Sequence, residues 1–178
     1  SDISKKVKLA DAVIVSDYGK GFVTNQLLGI VSENARFLSI DPKPSRLLQY
    51  ANPDLLTPNR FEALELAGLS RESCDPFPQE DVVGKIFEKF APKMLAVTLG
   101  ADGMLLATDG KIDKIIPTFA KEVFDVSGAG DTVIAALTLG LIGEQNFAEA
   151  AEFANLAAGA VVGKVGTATV SPEELLGL

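Results

Sequence analysis

The 178-residue chain contains no histidine and a single cysteine, Cys74. Without histidine there is no His-based nucleophilic triad and no imidazole ligand for a metal. One cysteine cannot form an internal disulfide, so a reducing cytoplasm is the expected location. No stretch has the ~20-residue apolar run of a membrane helix, and no basic-then-apolar leader is expected from the opening residues. Positive charge is also in short supply. Sixteen Lys and Arg against 24 Asp and Glu give a net charge of -8 and a pI of about 4.6. Such acidity repels phosphodiester backbones and argues against a nucleic-acid partner. It does not exclude ATP, because a local anion pocket overrides the global field. There is no repeat, no low-complexity segment and no linker. Chemistry is left to carboxylates, lysines and backbone amides.

What is present is a sizeable core: 47% of residues are apolar, with few aromatics, as in packed α/β proteins. The first strand is expected almost at once, over Ala12-Val13-Ile14-Val15, closed by Ser16-Asp17-Tyr18-Gly19. Thr24 is placed to cap a helix running to about Asn34. Strands follow at Arg36–Ile40 and Leu55–Thr57, and a helix over Phe61–Ala67 ends at Gly68. Phe77-Pro78 opens a helix with Val82, Val83, Ile86 and Phe90 at helical spacing. Met94–Thr98 and Gly103–Ala107 read as strands, and Asp109-Gly110 as a hairpin turn. Two long Ala-rich helices close the chain. Strands alternating with helices predict an α/β fold, a mostly parallel sheet covered on both faces with one added antiparallel hairpin. In such sheets ligands bind beyond the carboxyl ends of the strands.

One segment carries the chemistry: Asp125-Val126-Ser127-Gly128-Ala129-Gly130-Asp131-Thr132. A strand ends, a turn of small residues follows, and an Ala-rich helix begins. The first amides of a helix lack intrahelical acceptors, and the macrodipole adds partial positive charge there. Gly128, Ala129 and Gly130 let a phosphate approach those amides closely. Asp131, in the first turn, is ill placed to bind phosphate but well placed to take a proton from a hydroxyl that attacks it. A plain strand-to-helix turn with a dipole-favoured acid is the bland alternative. No Gly-Lys-Ser/Thr follows, so the loop is not a Walker A, and it is not a Gly-x-Gly-x-x-Gly fingerprint.

Residues 125–138 (DVSGAGDTVIAALT) resemble the second signature of the PfkB/ribokinase family of carbohydrate kinases. Thr57–Glu62 (TPNRFE) resembles the family's Asn-x-x-Glu motif. Val97–Gly103 (VTLGADG) is similar to the strand and turn bordering the nucleotide, and Ala154–Gly159 (ANLAAG) to the late helix beside the adenine. The four occur in the family's order and cover most of the chain. Val15–Gly21 (VSDYGKG), Asp41-Pro42-Lys43 and Val165–Pro172 (VGTATVSP) resemble one branch, the D-glycero-D-manno-heptose 7-phosphate kinases of bacterial lipopolysaccharide synthesis. These kinases often form the first domain of a bifunctional kinase/adenylyltransferase.

The resemblance implies a ribokinase-like fold and ATP-dependent phosphoryl transfer to a sugar hydroxyl. Asp131 would be the base, and Gly128, Ala129 and Gly130 would present amides to the phosphoryl group. Asn59 and Glu62 would hold Mg²⁺ through water. They also fit a helix cap and its first turn, and both readings can hold at once. Lys43 would meet ATP phosphates or is an ordinary solvated lysine. Thr98, Gly100 and Gly103 would line the nucleotide pocket, though Gly100 also suits a positive-φ turn. Asn155, on a mostly apolar helix, needs a partner, either the nucleotide or a backbone group. Asp17 and Lys20 would face the sugar phosphate. Asp125, with the loop near Gly166, resembles a monovalent-cation (K⁺) site.

Kinases of this family run to roughly 300 residues and carry an N-terminal Gly-Gly sugar signature and a β-stranded lid. Neither occurs here. Residues 1–178 are therefore expected to be the C-terminal nucleotide-binding and catalytic part of such a kinase, partnered by a missing N-terminal half. Alone it would bind ATP and turn over poorly or not at all. A homo-oligomer of the full-length protein stays open. So do two other functions: another PfkB-type sugar or nucleoside kinase, and a non-catalytic nucleotide-binding module.

Overall fold

The computed structural model describes residues 2–44, 48–50, 52–119, 128–164, 166 and 168–176. One six-stranded sheet runs in sequence order, from β1 (Val13–Ser16) through β2 (Leu38–Asp41), β3 (Leu55–Leu56), β4 (Met94–Thr98) and β5 (Met104–Thr108) to β6 (Lys111–Ile116). The first four strands are mutually parallel. β5 and β6 add antiparallel pairings at one side. At the turn between them Asp109 (φ 50) and Gly110 (φ 74) both take left-handed backbone, the twist that suits a two-residue hairpin.

Strand side chains alternate between two cores. Leu95 and Val97 of β4 join Leu56, Leu105 and Ala107 on one face. Ala96 joins Leu55, Met104 and Leu106 on the other. The first face is covered by α2 (Asn25–Asn34), α3 (Arg60–Leu66) and α4 (Gln79–Phe90), whose buried Leu28, Ala63, Leu64, Val82 and Ile86 lie in its cluster. Strands that follow one another in space through like-handed crossovers send their helices to one side. The opposite face is closed by α5 (Ala129–Ile142) and α6 (Phe147–Val162), through Val133, Leu137, Ala150 and Ala154. A short α7 (Pro172–Leu176) packs against α6.

The caps explain several boundaries. Thr24 accepts from the Leu27 amide at the start of α2. α3 opens with a reciprocal capping box between Asn59 and Glu62, and α6 with one between Asn146 and Glu149. One expectation needs correction: the chain does not reach its first strand at once. α1 (Asp2–Leu9) precedes β1, and only Val7 of it is buried. Ile3 and Val7 stand at helical spacing, but eight residues are too few for the period to be read with assurance. Small shifts also occur: Arg36 and Phe37 precede β2, Thr57 follows β3, and Gly103 stands outside β5.

Candidate active site

Because β1 to β4 are parallel, their carboxyl ends share one edge, and the loops after them meet there. The loop after β1 carries Asp17, Tyr18 and Lys20; that after β2 carries Lys43; and that after β3 leads to Asn59 and Glu62. Helix α5 starts beside this edge. Gly128 is its N-cap, with φ 81, a conformation that favours glycine. The Gly128 carbonyl accepts from the Thr132 amide at 3.0 Å and from the Thr132 hydroxyl at 2.9 Å.

Asp131, in the first turn of α5, is exposed and reaches across to β1. The Tyr18 hydroxyl lies 2.8 Å from its Oδ1 and 2.7 Å from its Oδ2, and the Ser16 hydroxyl donates to Oδ1 at 3.2 Å. The bond to Asp131 raises the Tyr18 phenol above its ordinary pKa, so the phenol keeps its proton.

Asp17 points the other way and is buried. Its Oδ2 accepts from the Tyr50 hydroxyl at 2.8 Å and its Oδ1 from the Gly19 amide at 2.8 Å. The Tyr50 oxygen also accepts from the Lys43 amide at 3.2 Å, tying the loop after β1 to the loop after β2. Asp17 thus anchors the site's frame, while Lys20 is exposed on the same loop.

Lys43 Nζ donates to Glu62 Oε1 at 2.9 Å, and this partner raises the lysine's pKa. Glu62 Oε2 accepts from the Asn59 amide at 3.0 Å, and Asn59 Oδ1 accepts from the Phe61 and Glu62 amides. The capping role of Asn59 and Glu62 is therefore realised. Between these groups stands Asp41, at the end of β2. Burial pushes its carboxyl up to about 7, reinforced by the charges of Glu62 and Asp131 and opposed by Lys43. The charges of Glu62, Asp131, Asp17 and Lys43 therefore all bear on Asp41. Among the described residues no group of three or more His, Cys, Asp or Glu side chains forms a direct metal cage. Clustered negative charge without a closed cage suits a hydrated Mg²⁺, which keeps most of its waters.

On the other side of the α5 N-terminus lies a cavity of about 430 Å³, lined by Thr98, Gly100, Gly103, Ala129, Gly130 and Asn155 among others. Its size suits a nucleoside. Every residue expected at the nucleotide's base and sugar thus borders one space. Gly103 has its own structural duty: at φ 92, a Cβ there would meet the Ile116 carbonyl oxygen at 1.9 Å. Gly100, at φ 67, turns the chain. Gly130 differs, since a Cβ built on it meets nothing within 4 Å among the described residues. A glycine inside a helix with room for a methyl group leaves space for something else. Asn155 is buried and donates to the Pro117 carbonyl at 2.6 Å, a backbone group being one of the two partners open to it. A larger cavity of about 730 Å³ opens on the opposite side of α5, with Asp131 and Thr132 at its wall. Asp125 lies outside the described residues.

Sequence reasoning passed over Tyr18, Ser16, Asp41 and Tyr50 as site residues. Tyr18 and Asp41 stand in the quoted VSDYGKG and Asp41-Pro42-Lys43 segments, at strand carboxyl ends, and that position was the available signal. Nothing local marks Tyr50, whose partner Asp17 is 33 residues away.

The sheet order and the helix N-terminus at its carboxyl edge define a ribokinase-like α/β fold. Solved structures of the same shape include the Arabidopsis thaliana ribokinase complexed with ribose and ATP (TM-score 0.83, 23% identity, 99% of this chain and 58% of that one). The Thermotoga maritima ribokinase is similar (TM-score 0.81, 24% identity, 98% and 58%). The model of the pfkB family carbohydrate kinases matches residues 5–174, and the chain belongs to that family. Curated relatives include the bifunctional protein HldE of Sulfurimonas denitrificans, 40% identical over 179 residues, covering 98% of this chain and 37% of that protein. The bifunctional protein HldE of Geobacter sulfurreducens is 42% identical over 171 residues, covering 94% and 34%. The chain therefore spans about a third of the length of these relatives. No helix among the described residues is long and apolar enough to cross a membrane.

Proposed function

We propose that residues 1–178 are the nucleotide-binding and catalytic part of an ATP-dependent sugar kinase, acting on D-glycero-D-manno-heptose 7-phosphate to give the 1,7-bisphosphate. The observation that carries this reading is Asp131 in the first turn of α5, beside the small-residue amides of Gly128 to Gly130 and a nucleoside-sized cavity. The acceptor hydroxyl gives its proton to Asp131 as its oxygen bonds to the γ-phosphorus, and the bond from that phosphorus to the ADP oxygen breaks. The amides at the α5 N-terminus face the charge that builds on the phosphoryl oxygens. Asn59 and Glu62, joined by Asp41, are the residues that would hold Mg²⁺ through water, where the ion would offset phosphate charge. Lys43 would meet the phosphates of ATP, and Lys20 that of the sugar. The heptose assignment rests on the VSDYGKG and VGTATVSP segments and on ~40% identity to proteins named HldE. A reducing cytoplasm suits the lone Cys74.

The test is a kinase assay on the full-length protein containing this chain, with heptose 7-phosphate and a panel of other sugars and nucleosides. Asp131→Asn is expected to lower kcat by about 10²- to 10⁴-fold while calorimetry shows ATP binding retained. A loss under tenfold would remove Asp131 as the base. Transfer only to a different sugar or nucleoside would keep the kinase and replace its substrate. ATP binding with no transfer to any acceptor would favour a binding module.

A further inference from the structure

The contact between Tyr18 and Asp131 has no structural need behind it. Tyr18 is 62% exposed, Asp131 is exposed, and neither side chain belongs to a core. Yet the phenol is held squarely on the carboxylate, within 2.8 Å of both oxygens. Its placement is built from below. Asp17, one residue earlier, is buried and fixed by Tyr50 and the Gly19 amide. With Asp17 turned inward, Tyr18 is turned outward, over the start of α5. Gly19 (φ 68) and Gly21 (φ 94) bend the loop immediately behind it.

A base that must accept a proton from an incoming hydroxyl here already accepts a bond from a resident one. We propose that Tyr18 is a displaceable latch on Asp131, a positioning residue whose hydroxyl occupies the acceptor's place at the base until an acceptor sugar displaces it. This inference rests on the kinase reading of the same site. The latch matters because water is an ever-present competitor. An unguarded Asp131 takes a proton from water as the water oxygen bonds to the γ-phosphorus, and the products are ADP and inorganic phosphate. With the phenol in place both carboxylate oxygens are engaged, and the phenol, its pKa raised, does not itself give up the proton. An acceptor with further contacts in the full protein can displace it; a lone water cannot.

The experiment uses the full-length protein, with Tyr18→Phe, which keeps the ring, and Tyr18→Ala, which removes it. Phosphate release from MgATP without acceptor is measured beside kcat and KM for the sugar phosphate. Both variants are expected to raise acceptor-independent hydrolysis several-fold and to lower the acceptor KM, since the competing phenol is gone. Unchanged hydrolysis with unchanged KM in correctly folded variants, their melting temperatures matching the wild type, overturns the latch. A fall in kcat at unchanged KM and unchanged hydrolysis also overturns it, because Tyr18 would then serve the transition state. Asp131→Asn and the double variant Tyr18→Phe/Asp131→Asn separate the two readings. If Asp131→Asn abolishes transfer while Tyr18→Phe changes nothing, the latch fails and the kinase reading stands. If the wild type transfers phosphate to no acceptor, both fail. Hydrolysis raised by Tyr18→Phe must return to baseline in the double variant; persistence overturns the route through Asp131.

Discussion

Burial holds the Asp41 carboxyl at about 7, against an ordinary value of 3.8. An unfolded chain releases that proton near 4 and the folded chain only near 7. Between these values the folded state holds more protons, so this group's contribution to stability is full at low pH, declines as pH rises through the window, and is level above it. Asp41→Asn keeps the shape and removes the titration. Relative to wild type it should therefore gain stability as pH rises from about 4 to about 7, by at most a few kcal/mol. Urea unfolding without nucleotide or Mg²⁺ measures the difference, and parallel pH curves would mean that Asp41 ionises normally. Two glycines make a contrasting pair. Gly103→Ala drives a Cβ into the Ile116 carbonyl at a positive φ and should cost several kcal/mol or prevent folding. Gly130→Ala meets nothing among the described residues and should leave stability level or raise it by about 0.5 kcal/mol, while calorimetry shows weaker ATP binding.

At the scale of elements, α3 does two jobs with one motif. Its capping box satisfies the first amides of the helix and also fixes the Glu62 carboxylate on which Lys43 rests. Asn59→Ala should cost about 1 kcal/mol in chemical denaturation and should also loosen Lys43 and lower affinity for MgATP. A stability loss with unchanged MgATP affinity would assign Asn59 to the cap alone. Much of this was legible because its determinants are local. The Thr24 cap, the apolar run of Met94–Thr98, the Asp109-Gly110 turn and the small residues before Asp131 each need only neighbours in sequence. What stayed hidden depends on distance. α1 is only eight residues long and buries one of them, so its pattern is too short to stand out. Tyr18 and Tyr50 read as ordinary loop aromatics until the sheet sets them against Asp131 and Asp17. Asp41 reads as a strand-ending acid, and its altered proton affinity comes from burial beside Glu62 and Asp131.

The whole molecule is a sheet between two cores, with Asp131 and its hydrogen-bond partners Ser16 and Tyr18 delivered by different ends of the chain. The first core is gathered from neighbours along the sequence, as β1 is followed by α2 and β3 by α3 and α4, the helices that cover it. The second waits for α5 and α6, which must return across strands laid down far earlier. Contacts of long sequence separation form slowly. On refolding from urea, far-UV circular dichroism should therefore recover before ATP binding and before the Tyr18–Asp131 contact, read by Tyr18 fluorescence against a Tyr50→Phe background. Simultaneous recovery would mean that α5 docks with the first core.

The separation of 113 positions between Tyr18 and Asp131 also sets an order of events during synthesis. The loop carrying the phenol leaves the ribosome long before the helix carrying the carboxylate. Whenever α5 docks, the loop carrying Tyr18 has already been made. A nascent or damaged copy that never completes the second core lacks both the cavity beside α5 and the Tyr18–Asp131 contact. If the kinase and latch proposals hold, such a copy hydrolyses no ATP.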